Sequence, residues 1–146
     1  MTFHSSELVV KISTSNMMRS FDFYTKILSF KPDPKWTLNH GGNFGNTSYM
    51  QLNFEIEGKK AFALGLYKDI NAPYHPKPQT GTVPSFIVSD IKATLHYLQS
   101  QHVVIDNNGT PGHYIIKNVS DSGHEDQFFF FRDPDNNSLV IRQNMN

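Results

Sequence analysis

The sequence predicts an α+β fold built from two copies of one strand–helix–strand–strand–strand module. Residues 9–28 and 83–102 superpose without a gap, at a constant offset of 74 that aligns Val9 with Val83. In each copy an apolar strand leads to a residue that can cap a helix, Asn16 in the first and Asp90 in the second. Chance alignment of two amphipathic helices is the alternative. The matched order of elements on both sides of each helix favours a duplication.

Module one spans about residues 8–68 and begins with an apolar, β-branched strand at 8–13. The helix after Asn16 has one buried face, because four apolar residues recur at spacings of three and four: Met17, Phe21, Tyr24 and Leu28. A short strand is expected at 35–40. Residues 49–56 alternate between polar and apolar and predict a strand with one wet face, which the turn at 57–58 joins to a strand at 61–67.

A proline-rich linker is predicted at residues 71–81, because proline fits neither a helix interior nor a central strand. Module two follows at about 82–143. Its strands are expected at 83–88, 103–106 and 113–119, and its helix buries Ile91, Leu95 and Leu98. The module ends with four consecutive phenylalanines at 128–131, which predict a strand buried on both faces, and with a turn at 133–137. The whole chain, 1–146, is expected to form one domain.

Composition excludes several classes of function. The chain has no cysteine, which rules out disulfides, thiol nucleophiles and thiolate metal sites. Its 13 basic and 13 acidic residues leave no basic field for a nucleic acid. No apolar run approaches the roughly 18 residues that would cross a bilayer, and the N-terminus does not have the pattern of a signal peptide. We therefore expect a cytoplasmic protein without nucleic-acid or membrane partners.

Three segments resemble the vicinal oxygen chelate superfamily, which contains glyoxalases, bleomycin resistance proteins and extradiol dioxygenases. They are residues 20–30, 86–91 and 131–137. Ser29 and Asn136 stand where the similar motifs have glycine. The resemblance covers nearly the whole chain. It implies two βαβββ modules whose curved, mixed sheets surround a cupped cavity, and it implies a homodimer.

The resemblance also implies where a metal ion would bind. Enzymes of this superfamily hold a divalent metal with His, Gln or Glu from the first and last strands of each module, and the metal polarises a carbonyl or enolate oxygen or activates oxygen. The matching positions here are Val9, Val83, Val140 and either Gly65 or Leu66. None of these residues has a side-chain donor atom. We therefore expect the standard metal site to be absent and no cofactor to be needed.

Six side chains are candidates for binding a small-molecule ligand: Trp36, His40, Tyr49, Tyr67, His113 and Arg132. The three aromatic residues each offer an apolar face and a polar tip, with packing in the core or at its rim as the alternative. The histidines lie on strands or strand edges that wall the cavity in similar proteins, with a structural role as the alternative. Arg132 can bind an anionic ligand or form a salt bridge with Asp133 or Asp135.

Three functions are consistent with the sequence, which leaves open whether the protein is an enzyme. The first is metal-independent binding of a small apolar or aromatic molecule in the cavity. The second is a glyoxalase- or dioxygenase-type lyase, isomerase or oxygenase, with a divalent metal held by displaced residues such as His40, His113 or Glu55. The third is a non-catalytic structural or regulatory domain.

Overall fold

The computed structural model describes residues 1–3, 7–38, 44–45, 48–73 and 81–145. The chain divides into two compact units, Met1–Tyr74 and His75–Asn146, so the division falls inside the predicted proline linker. Each unit contains a helix and one mixed sheet. The predicted α+β class is confirmed.

The elements of module one are β1 (Val9–Thr14), α1 (Met17–Asp22), a π-helical turn (Phe23–Ile27), β2 (Lys31–Leu38), β3 (Tyr49–Ile56) and β4 (Lys59–Lys68). The strands form a four-stranded sheet in the order β1-β4-β3-β2, with β1 parallel to β4 and the other pairs antiparallel. The second strand begins earlier than predicted and includes Pro32 and Pro34. An edge strand tolerates prolines, since one side of its backbone has no partner strand.

The elements of module two are β5 (Ser85–Ile87), α2 (Ile91–Ser100), β6 (Val104–Ile105), β7 (Ile116–Val119), β8 (Glu125–Arg132) and β9 (Ser138–Asn144). Its sheet repeats the topology of module one, with β5 parallel to β9 and the order β5-β9-β8-β6. The short strands β6 and β7 pair with successive stretches of β8, as the two ends of β2 pair with β3. Module one thus has a single bulged strand, β2, where module two has two short strands, β6 and β7, separated by residues 106–115.

The two helices begin with the same cap. The side chain of Asn16 accepts a hydrogen bond of 3.0 Å from the backbone N–H of Arg19, and that of Asp90 accepts one of 2.9 Å from Ala93. The φ and ψ angles are −143° and 103° at Asn16, and −140° and 97° at Asp90. Equal caps at an offset of 74 support the predicted duplication.

The helices end with the same hydrogen bond, but module one contains one extra residue. The carbonyl of Tyr24 accepts from the N–H of Phe30 at 2.9 Å, and the carbonyl of Leu98 accepts from Val103 at 3.0 Å. The first pair is six residues apart and the second is five. A π-helical turn inserts one residue into a helix, so the turn at Phe23–Ile27 explains the difference.

The aromatic strand β8 is buried on one face more than on the other. Phe129 and Phe131 are completely buried, whereas Phe128 and Phe130 are only partly buried, so the burial predicted for both faces is complete on one of them. The predicted turn that follows is confirmed. The carboxylate of Asp133 closes it by accepting from the N–H groups of Asp135 (3.0 Å) and Asn137 (2.8 Å) and from Nδ2 of Asn137 (2.8 Å).

Candidate functional site

The candidate site is one face of the module one sheet, which we call the Gly65 face. Side chains alternate along a strand, so the face that carries Gly65 and Gln51 excludes Met50 and Leu66. Three rows of paired residues cross the four strands on this face: Lys31–Asn53–Ala63–Val9, Asp33–Gln51–Gly65–Lys11 and Leu38–Tyr49–Tyr67–Ser13. The face is therefore rich in polar and aromatic groups around a position without a side chain.

The register identifies Gly65 as the counterpart of Val140. Lys11 pairs with Gly65 between the parallel strands of module one, and Ser85 pairs with Val140 between those of module two. Lys11 and Ser85 are themselves 74 residues apart, like the helix caps. Of the two candidates for the last-strand position, Gly65 rather than Leu66 is therefore the equivalent residue.

A β-bulge in β4 places Gly65 on this face. The pairs Ile56–Lys59 and Glu55–Lys60 follow the tight turn, and the register then shifts by one residue before Phe54 pairs with Phe62. Without that shift, the register that the turn sets would pair Tyr49 with Leu66. A shift by one residue exchanges the two faces of a strand, so the extra residue, Ala61, decides which side chains surround Tyr49.

The ring of Tyr49 lies over Gly65. A Cβ atom built on the glycine would be 2.6 Å from both Cε2 and Oη of Tyr49 and 2.9 Å from Cζ. Burial, together with the negative charges of Asp33 and Glu7, raises the pKa of the Tyr49 hydroxyl above its ordinary value. The hydroxyl therefore stays protonated at neutral pH and can donate a hydrogen bond.

A chain of hydrogen bonds leads from Gln51 to Asp33. Nε2 of Gln51 donates to Oδ1 of Asn53 at 3.1 Å, and Nδ2 of Asn53 donates to Oδ2 of Asp33 at 3.0 Å. The bond from Asn53 is the main cause that lowers the pKa of Asp33, and the backbone N–H of Lys35 adds to it. The network fixes the carboxamides of Gln51 and Asn53 on the face that carries Tyr49, with an ionised carboxylate at the end.

Tyr67 faces Tyr49 directly across β3 and β4. The ammonium of Lys11 lies 5.3 Å from the centroid of the Tyr67 ring, within the range of a cation–π contact. Lys11 also forms an ion pair with Asp69, whose carboxylate accepts a 3.3 Å hydrogen bond from Ser13. The structure thus brings together two of the six predicted ligand-binding residues, Tyr49 and Tyr67.

The other four predicted residues lie elsewhere or outside the described part of the chain. Trp36 lies in the bulged part of β2 and is 52% exposed, with the ammonium of Lys35 5.3 Å from its ring centroid. His113 is exposed in the loop before β7, so the strand predicted from residue 113 begins at Ile116 instead. His40 lies outside the described residues. Among the proposed displaced metal ligands, Glu55 forms an ion pair with Lys31.

Arg132 is buried and forms its ion pair with Asp106. The distance from Nε of Arg132 to Oδ1 of Asp106 is 3.2 Å, and Nη1 donates to the backbone carbonyl of Asn136 at 3.0 Å. The sequence had offered Asp133 or Asp135 as the partner. Arg132 instead ties the end of β6 to the turn before β9, because β6 pairs with β8 at this point.

Sequence reasoning missed the roles of Asp33, Gln51 and Asn53. The alternation in β3 had placed Gln51 and Asn53 on a wet face, but Gln51 is only 6% exposed. The available signal was the pair of carboxamides two residues apart beside Tyr49. Asp33 could not be connected with them, because the pairing of β2 with β3 includes a bulge.

Comparison with solved structures finds proteins of the same architecture over the whole chain. A glyoxalase/bleomycin resistance protein/dioxygenase from Alicyclobacillus acidocaldarius is 14% identical, with a TM-score of 0.64 and coverage of 100% of this chain and 96% of that one. A virulence protein from Salmonella typhimurium is 19% identical, with a TM-score of 0.62 and coverage of 99% and 100%. An integron cassette protein from V. Pseudocholerae is 22% identical, with a TM-score of 0.59 and coverage of 100% and 98%.

The chain has the vicinal oxygen chelate fold. Neither the comparison with family models nor that with curated proteins gives a match. Gly65 and Val140 occupy equivalent places in the last strands of the two modules. Within the described residues, no three His, Asp or Glu side chains form a group that could hold a metal ion.

No helix in the described part of the chain is long and apolar enough to cross a membrane.

Proposed function

We propose that the protein binds a small aromatic molecule with hydrogen-bonding groups on the Gly65 face, without a metal ion. The observation that carries this proposal is the Tyr49 ring over Gly65. At a position where similar proteins place a metal ligand, this chain has a glycine covered by a phenol. A protonated phenol offers a ligand a hydrogen bond and an aromatic face, but it is not a ligand that a divalent metal prefers.

The groups around Tyr49 favour an aromatic ligand over a purely aliphatic one. Tyr49 and Tyr67 are paired on one face, and aromatic rings attract each other in stacked or edge-to-face arrangements. The carboxamides of Gln51 and Asn53 both donate and accept hydrogen bonds, so they suit polar substituents on such a ring. Small-molecule sites typically combine aromatic side chains with polar groups that orient the ligand.

A ligand screen with matched variants tests the site. We expect some members of a panel of monocyclic aromatic phenols, amides and acids to raise the melting temperature, because a ligand at a hundred times its Kd adds about 2.7 kcal/mol to the free energy of unfolding. Binding should weaken in Tyr67→Ala and Gln51→Ala. The control is Tyr97→Ala, an exposed tyrosine of α2 in the other module. Failure of the whole panel, or equal binding by all variants, would refute the proposal.

Metal analysis tests the second candidate function, a metal-dependent glyoxalase- or dioxygenase-type enzyme. Protein purified without a histidine tag should contain no stoichiometric divalent ion after dialysis. A retained ion would contradict metal-free binding and support the enzyme. The displaced ligands His40, His113 and Glu55 would then be the first residues to substitute. The homodimer and the cytoplasmic location both stay predictions. Sedimentation analysis tests the homodimer.

A further inference from the structure

The opposite face of the module one sheet borders a groove of about 380 Å³. Its lining comes from α1 (Met18 and Phe21), from β2 (Pro32, Pro34 and Thr37), from β3 (Met50) and from Phe44. Met50 is adjacent to Gln51 in β3, and adjacent residues of a strand point to opposite faces. The groove is therefore separate from the Gly65 face, and its volume is within the range of small-molecule sites.

The chemistry of the lining indicates what the groove can hold. Seven of the residues that the structure describes line the groove; none of these seven carries a charge, and all but Thr37 are apolar. The hydroxyl of Thr37 donates its hydrogen to the backbone carbonyl of Asp33 at 3.0 Å, so it can offer a ligand only an acceptor. A charged ligand would lose hydration against these seven residues without gaining an ionic partner among them. The lining thus suits an uncharged ring with one hydrogen-bond donor.

Met18 is apolar at a position that helix packing does not require to be apolar. It is 51% exposed, and the residue at the same place in module two, 74 positions later, is the exposed Lys92. The next lining residue, Phe21, corresponds to the buried Leu95 of α2. The apolar residue at position 21 is therefore matched in module two, whereas the apolar residue at the rim of the groove, Met18, is replaced there by a charged one.

The size of the groove and its edge strand argue against a protein occupant. A specific protein interface involves roughly 20–30 residues from each partner, whereas seven residues of the described part of the chain line this groove. Addition of a strand to β2 is disfavoured, because Pro32 and Pro34 have no N–H group to donate. A small molecule remains the occupant that fits.

We propose that this groove is a second binding site, for a small uncharged aromatic molecule with one hydrogen-bond donor. The proposal does not depend on the Gly65 face. Indole is a suitable probe, because it is an uncharged ring system with a single N–H group that can donate to Oγ1 of Thr37. Indole acetate (indole-3-acetate) carries the same ring with a negatively charged carboxylate on a side chain and serves as the charged control ligand.

Methionine methyl groups report directly on the groove. In protein labelled with carbon-13 at the methionine methyls, indole should shift the signals of Met18 and Met50 saturably, and indole acetate should bind at least about tenfold more weakly. The signals of Met1 and Met145 should not move. No shift of Met18 and Met50 up to the solubility limit of indole, or equal affinity for indole acetate, overturns the proposal.

Two exposed methionines provide a matched pair of variants. Met18→Glu places a carboxylate at the rim and should weaken indole binding at least about tenfold, whereas Met145→Glu should leave it unchanged. The two methionines are 51% and 42% exposed, and glutamate is a good helix former at position 18 in α1, so both variants should fold. Tyr67→Ala should retain indole affinity within about twofold. Loss of indole binding in Tyr67→Ala but not in Met18→Glu would place indole on the Gly65 face and overturn the groove site.

Discussion

Tyr49 and Gly65 occupy neighbouring strands so that the phenol ring fills the space where a side chain at position 65 would begin. A Cβ atom there would be 2.6 Å from Cε2 and Oη of the ring. Gly65→Ala should therefore lower the free energy of unfolding by about 1–3 kcal/mol, because the ring must leave its position. Urea denaturation measures the loss.

Two controls separate this contact from the general effect of replacing a glycine. Gly45→Ala meets no atom within 4 Å and should cost nothing measurable. In a Tyr49→Ala background, Gly65→Ala should be neutral or stabilising by up to about 1 kcal/mol, because alanine loses less backbone entropy than glycine. An equal loss with and without the Tyr49 ring would show that the two residues do not compete.

Ser29 follows the π-helical turn in a left-handed conformation, with a φ angle of 63°. Ser29→Gly should raise the free energy of unfolding by about 0.5–1 kcal/mol, because a Cβ atom disfavours this conformation. Ser100→Gly, at the end of α2 with an ordinary backbone, should have the opposite sign. Thermal unfolding of both variants measures the difference, and a loss of stability in Ser29→Gly would contradict the prediction.

Asp133 holds the turn between β8 and β9 through three hydrogen bonds in a buried position. Asp133→Ala should cost about 2–4 kcal/mol, because it removes the acceptor of three hydrogen bonds in a buried turn. Asp133→Asn should cost less, since the carboxamide oxygen can still accept from the backbone. Chemical denaturation measures both losses. Asp121→Ala, in an exposed turn, should stay within about 0.5 kcal/mol of the parent protein, and a similar loss there would argue against a special role for Asp133.

The raised pKa of Tyr49 predicts a loss of stability in alkali. Burial is the main cause, and the charges of Asp33 and Glu7 add to it. The unfolded chain ionises this hydroxyl near pH 10, and the folded protein ionises it at higher pH. Above about pH 10 the unfolded state therefore binds fewer protons, and the free energy of unfolding falls as the pH rises.

Ultraviolet titration of tyrosinate, comparing the parent protein with Tyr49→Phe, isolates the ionisation of the Tyr49 hydroxyl. Asp33→Asn should move the pKa of Tyr49 back toward its ordinary value, because it removes a negative charge. Glu57→Gln, at the exposed hairpin turn, serves as the charge control. Tyr49→Phe should remove absorbance change from the most alkaline part of the titration curve. If that part of the curve is unchanged, the prediction of a raised pKa for Tyr49 is wrong.

The local features of the fold were predictable because they depend on neighbouring residues. The caps at Asn16 and Asp90 require only a side-chain acceptor before a helix. The turn that begins at Asp133 uses hydrogen bonds to residues no more than four positions later. The 74-residue repeat follows from the same local patterns. The partner of Arg132 was not predictable, because Asp106 is 26 residues away and comes close only through the pairing of β6 with β8.

The sequence by itself determined the order of the elements, the duplication and the absence of donor atoms at Val9, Val83 and Val140. Only the tertiary structure decided which side chains surround Gly65. A single extra residue in β4, Ala61, shifts the register and turns Gly65 toward Tyr49 and Gln51. The alternation of side chains along a strand is fixed locally, but the face that each residue shares with the next strand depends on the register between strands.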